Sequence, residues 1–200
     1  MARWRTTQIG LLCAALFCLG SLARAQVTET NGMVRIEAET FVSSRTNNIG
    51  GVNYSWVTES ASPGFSGSGY IEASPADGTS TNTVTTNWET TSPQVNYSIT
   101  FSNPGTYYVW VRGFAGDASS AGVYVGTNGT SLVNPRIDIQ QFNTWSWANT
   151  SATTNTPVTI NISSAGTYTL NLWMRDAWLD IDRIVLTRNP NFSPAPDANF

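Results

Sequence analysis

Two pairs of acidic residues stand near opposite ends of the sequence, and one residue separates the members of each pair. Glu37 and Glu39 lie in RIEAET, whereas Asp180 and Asp182 lie in LDIDRIVLT. Both runs alternate as β-strands do, so the two acids of a pair should project from the same face and repel each other. At about 7 Å two like charges cost roughly 0.6 kcal/mol in water and about four times that at an effective dielectric near 20. Such an arrangement raises the question of a bound cation.

A hard cation bound between the acids would offset this repulsion, with the carboxylates as its ligands. If the first and last strands are neighbours, as in sandwiches whose termini lie close together, the four acids converge. Calcium takes six to eight oxygen ligands with loose geometry, and the loop from Ser43 to Gly51 could add backbone carbonyls. The alternative is that the acids face solvent and keep a sheet edge soluble. The residue pattern alone leaves both interpretations open.

Tryptophans beside polar side chains form a second kind of candidate site. A sugar ring binds where an exposed aromatic plane meets a few hydrogen-bonding groups. In FNTWSW, Trp145 and Trp147 would point the same way in a regular strand. Because the segment begins at a loop, we expect Trp145 to be exposed and Trp147 to enter the core.

The segment WMRDAWLDID supplies the second aromatic candidate. There Trp178 stands close in sequence to Arg175 and Asp176, which would add a donor and an acceptor to a stacking plane. Tyr54 and Trp56, after a Gly-Gly turn, are the third choice. Core packing is the alternative for every one of them, because tryptophan and tyrosine are largely buried on average. We prefer that alternative for three other tryptophans: Trp88, Trp110 and Trp173.

The residue types that are missing narrow the chemistry. The sequence has no histidine and no lysine, which excludes serine-histidine triads, histidine metal sites and lysine Schiff bases. Both cysteines, Cys13 and Cys18, fall in a segment predicted to be removed, so the mature chain has no disulfide and no cysteine nucleophile. Any metal must therefore be held by oxygen.

The first 25 residues predict a secretory signal peptide. They combine a basic start, an apolar run and the small-residue ending Ala-Arg-Ala. The rest divides into one domain over 26–188 and a Pro-rich tail or linker over 189–200. With seven of the ten arginines and all thirteen acids, the mature chain carries a net charge of −6. These features predict a secreted monomer that binds neither nucleic acid nor membrane.

Short alternating runs bounded by turn residues predict an all-β protein. ITFSNPGTYYV at 99–109 and INISSAGTYTL at 160–170 match each other, which predicts the same β-hairpin twice. Two stacked antiparallel sheets, a β-sandwich, are the economical architecture. The predicted strands lie near residues 33–39, 54–59, 68–73, 95–101, 106–113, 121–126, 136–139, 145–149, 156–162, 167–174 and 179–187.

Several motifs in order resemble carbohydrate-binding modules of families six and thirty-five, which have a galactose-binding-like jelly roll. The motifs are IEAET, GSGYIEA at 67–73, the two Gly-Thr-Tyr turns, FNTWSW and LDIDRIVLT. The resemblance covers about 30–188. It implies a structural calcium ion held by Glu37, Glu39 and Asp182, with Asp180 as a candidate fourth ligand. It also implies a sugar site in loops at one end of the sandwich, with a tryptophan from FNTWSW.

One departure from the family pattern concerns the connection before the last strand. Small residues and an asparagine are common there in the resembled families, whereas this chain has Arg175, Asp176 and Trp178. The departure leaves the sugar unidentified.

The sequence thus predicts a non-catalytic domain that binds a polysaccharide or oligosaccharide. A glycosidase would need two carboxylates about 5 to 9 Å apart across a cleft, and the acid pairs here sit on regular strands. The rival hypothesis is an extracellular structural or adhesion module that contacts protein or matrix with all its tryptophans buried. The fold alone does not decide between these two hypotheses, because jelly rolls host many functions.

Overall fold

The computed structural model describes residues 26–76 and 84–195. The predicted signal peptide with its two cysteines lies outside the described residues. Within them the chain forms two β-sheets packed face to face, which confirms the predicted all-β sandwich.

One sheet has six strands in the order β1, β7, β13, β9, β10, with β3 also paired to β7. Strands are numbered in chain order throughout. The six are β1 (Val27–Thr28), β3 (Ser43–Arg45), β7 (Gln94–Phe101), β9 (Gly122–Thr127), β10 (Thr130–Asp138) and β13 (Gly166–Met174).

The other sheet has eight strands in the order β11, β8, β14, β6, β5, β4, with β12 also paired to β8 and β2 to β14. The eight are β2 (Met33–Glu37), β4 (Asn47–Ile49), β5 (Val52–Glu59), β6 (Tyr70–Ser74), β8 (Gly105–Phe114), β11 (Ser146–Ala148), β12 (Thr159–Ile162) and β14 (Asp180–Thr187).

Helical structure is confined to three short segments of the described chain. They are the helix α1 (Trp88–Thr91) and two 3-10 turns, Ala38–Thr40 and Ala118–Ser120. Of the segments the structure describes, no helix has the length and apolar character needed to cross a bilayer.

The core lies between the sheets and follows the period-two pattern of the strands. On β8, Tyr107, Val109 and Val111 are fully buried, while Tyr108 and Trp110 face the other way and are half-buried. β14 is buried at every position because it is central, with β2, β6 and β8 all paired to it. Leu170, Leu172 and Met174 in β13 are buried as predicted, but Asn171 and Trp173 between them are buried as well, so burial does not alternate at this end of the strand.

The two echoing segments are not hairpins, which corrects the prediction made from their turns. β7 and β8 belong to different sheets, and so do β12 and β13, so each turn carries the chain across the sandwich. The two crossings then pair with each other: Phe101 faces Gly166 in one sheet, and Gly105 faces Ile162 in the other. Both segments have apolar side chains on the inward face. These side chains stay in the core because the chain continues into the opposite sheet.

The first long strand and the last strand are neighbours, as predicted. β2 runs antiparallel to β14, with Glu37 opposite Arg183 and Ile36 opposite Ile184. This pairing brings the acids of both chain ends to one region of the eight-stranded sheet.

The described part of the C-terminal tail packs against the outer face of that sheet. Phe192 meets Trp110 edge-on at 6.0 Å between ring centroids. Trp147 Nε1 donates a hydrogen bond of 3.0 Å to the carbonyl of Ala195. Residues 189–195 therefore cover half-buried tryptophans instead of extending freely.

Candidate functional site

The strand that carries Glu37 ends there, and this changes the predicted geometry of the first acid pair. Residues Ala38–Thr40 form a 3-10 turn, so Glu39 does not continue the strand alternation. The prediction that Glu37 and Glu39 share one strand face is therefore wrong in detail. Their charges still interact, because Glu39 is among the groups that raise the pKa of Glu37.

Glu37 forms a two-pronged ion pair with Arg183. Arg183 Nη2 lies 2.8 Å from Oε1, and Arg183 Nε lies 3.1 Å from Oε2. Burial raises the pKa of Glu37, and the charges of Glu39 and Asp182 raise it further, while the guanidinium group lowers it. The net pKa lies above its usual value, chiefly because burial disfavours the charged carboxylate.

Asp182 is fully buried and lies at the centre of a polar network. One oxygen contacts Arg112 Nη1 in an ion pair. Ser66 donates from its backbone nitrogen at 3.0 Å and from its hydroxyl at 2.8 Å. These donors fix the carboxylate in place, as a buried charge requires.

The loop over the acids is the segment 66–68, whereas the sequence suggested 43–51. Ser68 Oγ donates to Glu39 Oε1 at 2.7 Å. Gly67 has φ +70°, and a Cβ there would come within 2.9 Å of Glu37 Oε2, so only glycine fits. Residues 43–51 instead form β3 and β4, which pair with β7 and β5.

Asp180 does not join the other three acids, contrary to the prediction of four converging carboxylates. Burial raises its pKa to about 7, together with the charge of Glu72, against a hydrogen bond from Ser62 that lowers it. Its register partner is Glu72 on β6, and a register irregularity follows Ile181. The bulge separates the two aspartates, because the chain gains a residue between their pairing positions.

The acid cluster of Glu37, Glu39 and Asp182 carries three carboxylates against two guanidinium groups. Over 26–76 and 84–195, no three acidic side chains surround a common point as ready metal ligands. Glu39 Oε2 is nevertheless buried without a hydrogen-bond partner among the described atoms. A carboxylate bound to arginine keeps acceptor capacity, so this all-oxygen set with one uncompensated charge fits a hard cation such as calcium.

The order of exposure predicted for the FNTWSW tryptophans is wrong. Trp145 is only 9% exposed, whereas Trp147 is half-buried on the outer face of the eight-stranded sheet. Trp145 precedes β11 and packs edge-on against Tyr70 at 5.4 Å and at a tilt against Phe114 at 5.7 Å. Its Nε1 donates 2.9 Å to the carbonyl of Pro63, so the ring is fixed between two loops.

One edge of the Trp145 ring still lines an open cavity of about 470 Å³, here called the Trp145 cavity. Arg112 stacks near the ring, with its Cζ 5.4 Å from the ring centroid, and its Nη2 donates to the carbonyl of Gly64 at 3.1 Å. Phe114 adds an apolar wall. Polar rim groups come from Ser62, Asn143 and Thr144.

Arg112 joins the acid cluster to this cavity. Its guanidinium group contacts Asp182 on one side and lies beside Trp145 on the other. A change in the charge balance around Asp182 therefore acts on a wall of the Trp145 cavity. Arg112 is thus a side chain that contacts both Asp182 of the acid cluster and Trp145 of the cavity.

A smaller cavity of about 210 Å³ lies beside Trp147. Trp110 and Trp147 form its aromatic sides, and Ser193 and Pro194 of the tail close part of it. Trp110 is half-buried, so the prediction that it packs in the core is wrong, whereas Trp173 is fully buried as predicted.

Tyr54 and Trp56 belong to the hydrophobic core. They are 3% and 4% exposed, because β5 alternates and turns both rings inward. Neither offers a stacking surface to a ligand, so we remove both from the candidate binding residues.

Trp178 has different partners from Arg175 and Asp176, beside which it was expected to form a site. Asp176 is fully buried, accepts 2.8 Å from the backbone nitrogen of Gly122 and pairs with Arg175 Nη1 at 2.7 Å from Oδ1. Trp178 packs against the core with φ +71° and donates its backbone nitrogen to Ala73. Arg175 instead shares a cavity with Trp88 and Tyr124.

Sequence reasoning missed Arg112 and Phe114, which stand at alternate positions of β8 and project outward. The apolar partners Val109 and Val111 marked the inward face, so the outward position of Arg112 could have been found from the same alternation. Its contact with Trp145 could not, because that contact depends on how the 62–64 loop folds.

Comparison with protein families identifies most of the chain. Residues 27–191 match the family model described as the glycosyl hydrolase family 115 C-terminal domain.

Solved structures share the fold. A family 35 carbohydrate binding module from Clostridium thermocellum superimposes with a TM-score of 0.52 at 16% identity, over 77% of this chain and 96% of that one. A CBM35 from Paenibacillus barcinonensis gives 0.51 at 19% identity, over 78% and 98%. The Podospora anserina GH26-CBM35 beta-(1,4)-mannanase gives 0.51 at 18% identity, over 83% of this chain and 31% of that one. The resemblance to family thirty-five modules is thus confirmed at the level of the fold.

A curated relative, Uncharacterized protein P23 from Formosa agariphila, is 30% identical over 110 residues. The match covers 50% of this chain and 26% of that protein, so the chain spans about a quarter of the relative's length. Because the family model covers nearly all the described residues, the chain belongs to the glycosyl hydrolase family 115 C-terminal domain family, in the fold of a carbohydrate-binding module.

Proposed function

We propose that this chain is a secreted, non-catalytic domain that binds a plant or algal polysaccharide, or oligosaccharides from it, in the Trp145 cavity. The observation that carries the proposal is the cavity itself. It is open, about 470 Å³ in volume, and walled by two aromatic rings beside a guanidinium group. The family name and the fold of the structural relatives support a role beside glycoside hydrolysis.

The chemistry of the cavity suits a sugar ring. The edge of Trp145 and the ring of Phe114 supply apolar contact for C–H groups, while Arg112 and Thr144 supply polar groups for hydroxyls. Arg112 is held by Asp182 and the carbonyl of Gly64, so little side-chain entropy is lost on binding. An open site of this kind gives weak affinity, with a Kd of roughly micromolar to millimolar.

The residues around the cavity support a non-catalytic role. Glycosidases use a pair of carboxylates across the scissile bond. In the part of the chain that the structure describes, the cavity lining has no acidic side chain. Asp182, directly behind Arg112, is fully buried in its ion pair and so is held away from the substrate.

Calcium binding at the acid cluster is part of the same proposal. Glu37, Glu39 and Asp182 would hold the ion, and the unpartnered oxygen of Glu39 supports this. The ion would supply positive charge where three carboxylates meet two arginines. Its effect on the sugar site would pass through Arg112.

The test is binding to a panel of soluble xylans, glucans, mannans, pectins and alginates. Tryptophan fluorescence and calorimetry measure the binding. We expect saturable binding to at least one member and a loss of about tenfold or more in Trp145→Ala. Phe142→Ala is the matched control, because this aromatic neighbour is 41% exposed and outside the cavity lining. It should bind as the wild type does.

The rival function is an extracellular structural or adhesion module. If the protein is folded by circular dichroism but binds no polysaccharide of the panel, that result would favour the rival function. Release of reducing sugar from the same panel would contradict the non-catalytic part of the proposal.

A further inference from the structure

A third cavity, of about 370 Å³, lies on the outer side of the six-stranded sheet. Tyr124 on β9 and Arg136 on β10 face each other in register there, and Trp88 of α1 stacks on Tyr124. The lining also includes Thr85, Thr153 and Arg175. No residue of this set belongs to the Trp145 cavity, so the two sites are independent.

The aromatic wall of this cavity is held rigidly. The rings of Trp88 and Tyr124 stack at 4.2 Å between centroids and 19° between planes. Trp88 Nε1 donates to Ser131 Oγ at 3.2 Å, and the Tyr124 hydroxyl donates to the carbonyl of Val84 at 3.0 Å. Trp88 itself is half-buried, which contradicts the expectation that it packs in the core. A ligand therefore meets a preformed apolar surface.

Two guanidinium groups line the cavity, while their carboxylate partners lie outside its lining. Arg136 Nε donates to Asp138 Oδ1 at 2.6 Å, and Arg175 Nη1 donates to Asp176 Oδ1 at 2.7 Å. The two aspartates thus orient the arginines from behind. Each planar guanidinium carries five N–H donors, so its remaining donors can face a ligand.

The backbone is adapted to this arrangement at Gly122. A Cβ there would come within 2.6 Å of Arg175 Cδ and 2.7 Å of Asp176 Oδ2. Any larger residue would displace the pair from the sheet. Arg175 also contacts the Tyr124 hydroxyl group, and its Nε is buried, so only the outer part of its guanidinium group can meet a ligand.

We propose that this cavity is a second carbohydrate site that takes an anionic sugar residue, carrying a carboxylate or a sulfate ester. The aromatic wall contacts the C–H face of the ring, and Arg136 and Arg175 bind the anionic group by charge-assisted hydrogen bonds. The lining of this cavity has two arginines and no acidic side chain, which favours an anionic ligand in a protein of net negative charge. The proposal rests on the proposed function in taking a sugar as the ligand.

The experiment titrates the wild type with three probes by ligand-observed NMR: glucuronate, glucose 6-sulfate and glucose. We expect at least one anionic probe to bind at millimolar concentration, at least fivefold more tightly than glucose, and to weaken by more than threefold in 0.5 M NaCl. The two anionic arms distinguish a carboxylate from a sulfate ligand.

Variants locate the binding. Arg136→Gln and Trp88→Ala should each reduce binding of the anionic probe at least fivefold. Arg188→Gln removes the same charge from an exposed position elsewhere and should bind as the wild type does. Trp145→Ala should also leave this binding unchanged.

Three outcomes would overturn the inference: equal binding of glucose, no binding of either anion, or loss of binding in Trp145→Ala with retention in Arg136→Gln. The last result would leave the proposed function standing and remove only the second site. Failure of the polysaccharide panel, with the anionic probes still bound, would instead remove the Trp145 cavity as a binding site.

Discussion

At the scale of single residues, the acids of the two chain ends are held by specific partners and are not simply exposed. Arg183 forms an ion pair with Glu37, and Arg112 forms one with Asp182. Ser68 donates a hydrogen bond to one oxygen of Glu39. Only Glu39 in this cluster lacks a cationic partner among the described side chains. Because a buried charge without compensation is costly, this residue is where a bound cation gains most.

The first prediction concerns calcium and Glu39. A chelator should lower the Tm, and excess calcium should restore it, because an ion that binds only the folded state at 100 times its Kd adds about 2.7 kcal/mol. Glu39→Gln should abolish most of the difference between calcium and chelator. Differential scanning fluorimetry in both conditions measures it.

The control for that experiment is Glu59→Gln, which changes an exposed acid at the end of β5. It should keep the calcium response of the wild type. An identical Tm with chelator and with calcium, and no metal by elemental analysis, would remove the ion from the proposal.

At the scale of elements, Glu29 joins the first turn to the connection between the sheets. Its carboxylate, 3% exposed, accepts from the backbone nitrogens of Gly32, Ser102 and Asn103 and from the Asn103 side chain. Burial raises the pKa of Glu29, but these hydrogen bonds together outweigh it, so the pKa lies below its usual value. The charged form thus stabilises the crossing between β7 and β8.

The second prediction is the effect of Glu29→Gln on the free energy of unfolding. At pH 7 the variant should lose about 1–3 kcal/mol, because buried donors lose their acceptor. A lowered carboxyl pKa contributes stability above the unfolded-state value near 4.5 that is lost as pH falls through the folded value. The difference from the wild type should therefore shrink as the pH is lowered from 6 to 3.

Urea denaturation across that pH range measures the difference. A constant difference at every pH would show that the charge of Glu29 contributes nothing and that only its shape matters.

A glycine in β9 shows how closely the outer layer packs on the six-stranded sheet. A Cβ at Gly126 would lie 2.4 Å from the carbonyl of Thr130 and 2.4 Å from the ring of the fully buried Trp173. Neither neighbour is the free end of a flexible side chain, so the structure must shift to accept it.

The third prediction follows from that contact. Gly126→Ala should destabilise the protein by about 1–3 kcal/mol and weaken anionic-sugar binding, since Trp173 and Tyr124 are paired in register beside the third cavity. Gly116→Ala is the matched control, because its nearest neighbour would be 3.9 Å away. Equal stability of the two variants would contradict the packing argument.

At the scale of the whole molecule, the two proposed sugar sites lie on different sheets of one sandwich, so the proposal implies contact with a polymer at two points. The chain matches only 26% of its curated relative, and its family is described as the C-terminal domain of a glycosyl hydrolase family. A binding domain linked to a catalytic one raises the local substrate concentration without new contacts.

The fourth prediction tests that role. Fusion of residues 26–195 to a hydrolase that acts on a polysaccharide bound by this domain should raise the rate on the insoluble substrate severalfold. The rate on a soluble oligosaccharide should stay unchanged, because proximity gives nothing there. The Trp145→Ala fusion is the control and should behave as the isolated hydrolase. Equal rates on insoluble substrate with and without the domain would contradict targeting.

The sequence by itself determined the all-β fold class and the approximate position of most strands along the chain, because apolar residues at period two mark each inward face. It offered the convergence of Glu37 and Asp182 as one of two open interpretations, and the pairing of β2 with β14 decided between them. The 3-10 turn at Ala38, the bulge after Ile181 and the sheet crossings at Gly105 and Gly166 were decided only by tertiary packing.

The tertiary structure also decided which aromatics face a ligand. Trp145, Trp56 and Trp88 all follow a Ser, Thr or Asn residue in the sequence, yet one lines a cavity, one is in the core and one lines a pocket with two arginines. Exposure of a tryptophan depends on what other segments pack against it, as Pro63 and Phe114 do at Trp145. Local sequence specifies the face of a strand, whereas contacts between residues distant in the chain specify what covers that face.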